Sequence, residues 1–201
     1  MSGSRLTVDA VIITSRASSV LLRPPLEADR AAFIALRRRS RHFLEPWEPR
    51  PPSHIDFFSD SGFDLELALS VGQRDRRYLI CRKYDGAIVG RLSIGGIERG
   101  VQQSCHFGYR IGHEFIRNGY ATQAVRLALR HVFRDLRLHR AEANLQPHNE
   151  ASRGVARAAG MQLEGLSPRF LKIRGQWRDH ERWAITIEAW RQLQPPVRAT
   201  R

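Results

Sequence analysis

The stretch Glu114–Val125, EFIRNGYATQAV, holds the residue types and spacing that bear most directly on chemistry. A short loop carrying Arg117, Asn118 and Gly119 runs straight into an apolar helical pattern. A helix start leaves several backbone N–H groups unpaired and pointing the same way, and the helix dipole adds positive potential there. Gly119 leaves room for an oxygen to approach the backbone. Arg117 and Asn118 add donors, and Ala121 keeps the first turn slim. This is the chemistry of a phosphate or pyrophosphate cradle. The same residues also suit a plain strand-to-helix corner, and on the motif alone the two readings are balanced. No Gly-Lys-Ser/Thr follows, so the loop is not a P-loop, and it does not match G-x-G-x-x-G.

Two carboxylates, Glu45 and Glu48, lie in FLEPWEPRPP, where four prolines in ten residues rule out regular structure. That stretch reads as an ordered turn or the wall of an active site. The two cysteines, Cys81 and Cys105, sit in strand-like text without metal spacing. They are expected to be buried free thiols in a reducing compartment, which makes the cytoplasm the expected location. No His, Cys, Asp and Glu cluster has ligand spacing, so no metal is expected.

The elements that must position these groups are legible in outline. Residues 1–19 read as a loose segment, and VLLRPP as a short strand. Asp29–Ser40 has Ala32, Phe33 and Leu36 at helical spacing, and Phe63–Arg74 is helical again. Tyr78–Lys83 and Ile88–Ile97 flank the turn Tyr84-Asp85-Gly86 as a hairpin. SCHFGYRI, Ser104–Ile111, is a third strand feeding the loop. The helix behind Gly119 runs to about Arg134, with Ala124, Val125, Ala128 and Leu129 on one broad face. Arg140–Leu145 is a strand and Glu150–Ala159 a helix ended by Gly160. Arg169–Arg174 and Arg182–Ile187 are strands flanking a turn-like GQWRDH, and residues 191–201 form a tail. The order is mixed α/β.

The 201 residues fit one domain, expected at 20–190. No apolar run approaches the roughly 20 residues that span a bilayer, so no membrane partner is expected. The net charge of +13 would attract polyanions and repel a strongly cationic small molecule. Only Lys83 and Lys172 are lysines, and the arginines are spread along the chain without aromatic interleaving, which equally fits a solvated basic surface.

Larger pieces carry a resemblance. Ile116-Arg117-Asn118-Gly119-Tyr120-Ala121 is similar to the [Arg/Gln]-x-x-Gly-x-[Gly/Ala] loop of the GNAT acetyltransferases, with Ile116 in place of Arg or Gln. HRAEANLQPHNEASRGVARAAGMQLEG resembles the family's strand, Asn-x-x-Ser helix and apolar Glu-Gly exit. LKIRGQWRDHERWAI and HFLEPWEP resemble the closing hairpin and first-half loop of the Rim-type (RimJ/RimL) protein N-terminal acetyltransferases. The match runs from about Val20 to Ile187. Met161 stands for the usual Phe and Arg157 for a common Glu.

The resemblance implies an α+β GNAT domain, with a mixed, mostly antiparallel twisted sheet of about six or seven strands and about four flanking helices. It implies acetyl-CoA as co-substrate, held by Tyr109, Ile111, Gly112, Ile116, Arg117, Asn118, Gly119, Tyr120, Ala121, Thr122, Asn144, Asn149 and Ser152. Ser152 is then the candidate proton donor to the leaving sulfur, and Asn149 positions the cofactor arm or simply caps its helix. Glu45 and Glu48 are candidates for gripping or deprotonating the acceptor amine, with Trp47 and Tyr109 beside it. Some relatives place a Glu where this chain has Leu171. An α-amine of pKa about 7.7–8.0 is about one-quarter neutral near pH 7.4, so an N-terminal acceptor needs only a weak base.

The resemblance implies a protein N-terminus as acceptor, with ribosome association, in a monomer or homodimer. A small amine such as an antibiotic or polyamine is the alternative acceptor. A GNAT-fold protein that binds acyl-CoA without turnover is the non-enzymatic alternative. A nucleic-acid-binding module would need a continuous basic face, and the sequence shows no helix devoted to one.

Overall fold

The computed structural model describes residues 11–194. Strands are β1 (Val20–Arg23), β2 (Arg76–Arg82), β3 (Ile88–Glu98), β4 (Ser104–Ile111), β5 (Arg140–Leu145), β6 (Gln162–Ile173) and β7 (Gln176–Thr186). Helices are α1 (Arg30–Arg39), α2 (Arg41–Leu44), α3 (Asp60–Ala68), α4 (Tyr120–Arg130), α5 (Glu150–Ala158) and α6 (Ile187–Gln192). The strands form a seven-stranded sheet in the order β1-β2-β3-β4-β5-β7-β6. Every neighbouring pair is antiparallel except β4 and β5.

Alternation along the strands divides the apolar residues between two faces. Tyr78 and Ile80 of β2 join Leu92 and Ile94 of β3 beneath α4, whose Ala124, Val125, Ala128 and Leu129 are fully buried. Each buried Val, Leu or Ile contributes about 1.5–3 kcal/mol. Leu79 and Cys81 point the other way, against Phe33 and Ile34 of α1 and Phe63 of α3.

The parallel joint between β4 and β5 is short. Pairing runs from Ser104↔Arg140 to Phe107↔Ala143 and stops there. Yet β4 continues to Ile111, still paired with Gly90 of β3, and β5 continues to Leu145, still paired with β7. The sheet therefore opens in its middle, and main-chain groups on the facing edges beyond this point have no ladder partner.

Five expectations need correction. The helix expected over Phe63–Arg74 is α3, which ends at Ala68, and the strand expected over Arg169–Arg174 is β6, which begins at Gln162. FLEPWEPRPP is not devoid of regular structure: α2 ends at Leu44 and a 3₁₀ turn spans Glu45–Trp47. Pro46 sits in the first turn of that segment, where its missing N–H breaks no bond. GQWRDH is mostly strand. The hairpin turn is confined to Arg174 and Gly175, both at positive φ (51° and 82°), and β7 begins at Gln176. The helix behind Gly119 stays α-helical only to Arg130 and closes in a π turn over His131–Asp135.

Of the N-terminal segment, residues 11–19 are described. Ile13 is buried and bridges Leu22, and the side chain of Gln123 accepts hydrogen bonds from Ser18 and Ser19. Both cysteines are buried and free. No helix among the described residues is long and apolar enough to cross a membrane.

Candidate active site

The opening between β4 and β5 is the floor of a cleft of ≈ 690 Å³. The start of α4 walls one end, and the loop Phe43–Glu48, the loop after β5 and His180 of β7 wall the other.

At the first end the backbone prepares an anion site. Arg117 and Gly119 both adopt positive φ, 62° and 71°, on either side of Asn118. Alternation of this kind turns successive N–H groups toward one concavity. No side chain caps α4, so its first amides remain available. The glycine requirement at Gly119 is conformational: an added Cβ would find its nearest contact at 3.8 Å. Asn118 does not add donors as expected. Its amide donates to the carbonyls of Phe115 and Ile116 at 3.2 and 3.0 Å and holds the loop's shape.

Of the residues expected at the cofactor, Tyr109, Ile111, Ile116, Arg117, Gly119, Tyr120, Ala121, Thr122, Asn144, Asn149 and Ser152 line the cleft. Gly112 does not. Its N–H donates to the Val89 carbonyl at 2.9 Å, and a Cβ there would lie 2.4 Å from Leu36. It is a glycine because α1 packs on it.

Across the opening, the Tyr109 hydroxyl donates to the Ser152 carbonyl at 2.9 Å. Burial pushes this phenol up, against the pull of that bond, so it stays protonated at neutral pH. Asn149 caps α5, its Oδ1 accepting from the Ser152 N–H at 3.1 Å. The Ser152 hydroxyl has no hydrogen-bond partner among the described residues and lines the cleft. Oδ1 of Asn144 is buried without a partner. An orphaned acceptor costs about 1–3 kcal/mol unless a ligand or water donates to it. These features fit a phosphate-bearing cofactor with an amide-rich arm: anion-seeking amides at one end, free strand edges and an unmet acceptor along the floor.

The two candidate carboxylates behave differently from expectation. Glu45 does not reach the cleft; it faces Arg41 and Arg174 at 3.9 and 3.7 Å beside a separate, smaller hollow. Glu48 lines the cleft but is only 6% exposed and accepts both terminal nitrogens of Arg37, at 2.5 and 2.9 Å, plus one from Arg110. Burial alone would raise its carboxyl, but Arg110 and Arg37 hold it below the usual carboxylate range. A carboxylate so paired is a poor base, and its role is to fix the loop against β4 and α1.

Sequence reasoning passed over His148 and left His180 as the end of the turn-like GQWRDH. His148 follows β5 and packs its ring on Trp47, 5.2 Å between centroids, so the two close the cleft together. His180 is buried on the cleft wall, with its Nδ1–H donating to the Arg178 carbonyl at 3.0 Å. Burial pushes this imidazole below its ordinary value. The neutral ring then presents Nε2 as a proton acceptor. Alternation places His180 on the same side of β7 as Arg182 and Ala184; nothing in Asp-His-Glu signals that β7 outruns β5 and brings it to the opening. Among the described residues, no group of three metal-ligating side chains is assembled.

The family model described as an acetyltransferase (GNAT) domain matches residues 19–162. The [Ribosomal protein uS5]-alanine N-acetyltransferase of Escherichia coli K12 is 31% identical over 196 residues, covering 94% of this chain and 98% of that protein. The probable N-acetyltransferase YjcK of Bacillus subtilis is 38% identical over 174 residues, covering 85% and 95%. Mycobacterium smegmatis RimJ, solved in complex with CoA-disulfide, superposes with a TM-score of 0.80 at 34% identity, covering 92% of this chain and 89% of that one.

Proposed function

Since the chain belongs to the GNAT acetyltransferase family and is an N-acetyltransferase, we propose that it moves the acetyl group of acetyl-CoA to the N-terminal α-amine of a ribosomal protein. The observation that carries the reading is the opening of β4 from β5, which runs as one cleft from the α4 amides to the Trp47–His148 wall. A relative 31% identical over nearly its whole length acts on an alanine of ribosomal protein uS5, which supports the acceptor class.

Acetyl-CoA supplies an activated acyl group: a neutral amine bonds to its thioester carbonyl carbon, the carbon–sulfur bond breaks, and the amine loses a proton while the sulfur gains one. The residues of this chain provide the setting. Gly119, Tyr120 and Ala121 offer N–H groups to the pyrophosphate, and the free edge of β4 near Ile111 offers main-chain donors to charge that develops on the acyl oxygen. Asn144 orients an amide donor of the arm. Ser152 holds a hydroxyl proton for the sulfur, positioned by the α5 cap and by Tyr109. Nε2 of His180 receives the proton of the amine, directly or through water. Glu48 keeps the acceptor wall in place and takes no proton.

A polycationic acceptor suits this cleft less well. Arg110 and Arg117 line it, and its carboxylates Glu48 and Glu150 are already paired with arginines. The reading is tested by calorimetric titration with acetyl-CoA of the parent and Gly119→Trp, followed by turnover on peptides with free and blocked alanine N-termini. Binding lost in the variant and turnover on free peptides alone are expected. Turnover on a polyamine but not on a free N-terminus would replace the protein acceptor with a small one.

A further inference from the structure

Behind the cleft, on the α1 and α3 face of the sheet, lies a second hollow of ≈ 150 Å³ whose lining is charged. Arg77 of β2, Arg91 of β3 and Arg110 of β4 project into it from three adjacent strands, and Arg37 of α1 meets them. In the β3–β4 register Arg91 stands directly opposite Arg110. Like charges at such positions are destabilising unless something lies between them.

Glu66 of α3 and Glu48 provide the only carboxylates bonded to these four groups among the described residues. Glu66 takes Arg77 at 3.1 Å and Nε of Arg91 at 2.6 Å; Glu48 takes Arg37 and Arg110. Four guanidiniums thus face two carboxylates, an excess of two positive charges. The Arg91 side chain is only 5% exposed, yet its two terminal nitrogens carry no hydrogen bond to any described residue. A guanidinium edge whose donors meet no acceptor among the described residues, and which opens onto a hollow of this size, is free to take a ligand.

We propose that this hollow is an anion site, taking one small oxyanion, a carboxylate or a phosphate, on the free edges of Arg91, Arg77 and Arg110. Planar N–H forks match such oxygens two at a time. The anion comes either as a free ion or as an acidic side chain of a peptide entering past Arg110, which lines both this hollow and the larger cleft. The site stands on the charge balance alone and does not depend on the acetyl-transfer reading.

The test is thermal unfolding of the full chain at constant ionic strength, with phosphate or acetate replacing chloride, for the parent, Arg91→Met, Arg77→Met and Gly119→Trp. At about fourfold excess over its Kd the anion is expected to raise the parent's Tm by about 2–4 °C. That rise is expected to persist in Gly119→Trp, whose altered site is the α4 cradle, and to vanish in whichever of the two arginine variants folds. A parallel titration with an alanine-led peptide carrying Glu at its second or third position separates the sources: tighter binding than its Gln counterpart, lost in Arg77→Met, assigns the site to the acceptor. No anion-dependent rise in the parent, or a rise kept in both arginine variants and lost in Gly119→Trp, overturns the proposal.

Discussion

The phenolic hydroxyl of Tyr109 donates to the backbone carbonyl of Ser152 at 2.9 Å, and the contact crosses the gap where β4 and β5 part. The edge of β4 that has lost its β5 partner is thereby tied to the first turn of α5. The bond sets how far Ser152 stands from the strand edge. Tyr109→Phe removes it at a cost of about 1 kcal/mol. The expected result is a Tm lower by about 2–4 °C together with weaker binding of acetyl-CoA. An unchanged Kd in calorimetric titration would show that the tie does not shape the cofactor site.

Ser152→Ala separates the hydroxyl from the cap. The cap uses the Ser152 backbone N–H and the Asn149 side chain, so alanine leaves it standing. A loss of about 100-fold in kcat with little change in KM for acetyl-CoA is expected if the hydroxyl protonates the sulfur. Steady-state assays of thiol release read both constants, and a KM effect without a kcat effect would make Ser152 a binding residue only.

Glu48→Gln is expected to act on stability. It leaves Arg37 and Arg110 facing a neutral amide in a buried site, a change worth about 3–5 kcal/mol. Glu45→Gln, at a half-exposed carboxylate 3.7 Å or more from its partners, should stay within about 0.5 kcal/mol. Denaturant unfolding of the two variants checks this. A stable Glu48→Gln protein with an altered pH–rate profile would restore Glu48 as a base.

Acid should weaken the fold through two imidazoles. Burial pushes both His131 and His180 below the ordinary value, so the folded chain keeps them neutral where the unfolded chain binds protons. Stability is therefore complete above about pH 6.5 and is lost as the pH falls through that value toward the lower folded pKa. Unfolding free energies at pH 7.5, 6.5 and 5.5 should fall in that order, with a shallower fall in His180→Gln. Equal values in the parent would mean that both rings titrate normally.

Trp47→Ala opens the acceptor end, because His148 loses the ring it packs on. KM for a peptide acceptor should rise about tenfold while KM for acetyl-CoA stays put. A rise in both would mean that the loop holds the cofactor as well.

Legibility followed sequence distance. The bounds of β5 and α5 follow from alternation, an Asn cap and a terminating glycine, all within a few residues. The corner at Gly119 was equally local, although its glycine answers to a left-handed backbone and not to the room for an oxygen that was expected. β6 was half missed: its first residues, QLEGLSP, are exposed apart from the half-buried Ser167 and show no alternation, and Pro168 argues against a strand. It is the terminal strand of the sheet, where a missing N–H is tolerated. Glu48 could not be read at all. Its character depends on Arg110, which lies 62 positions away and meets it only through the packing of the loop on β4. His180 reaches the cleft because β7 outruns β5, a fact of register with no trace in neighbouring residues.

The parallel joint of four residue pairs also bears on how this protein can change over generations. The gap is made by where two strands stop pairing, and a substitution of one side chain does not re-pair main chain. The walls at Trp47, His148 and His180 stand on separate loops and on a strand end. Descendants of such a chain can rebuild the wall that selects an acceptor, one loop at a time, while inheriting the opening intact.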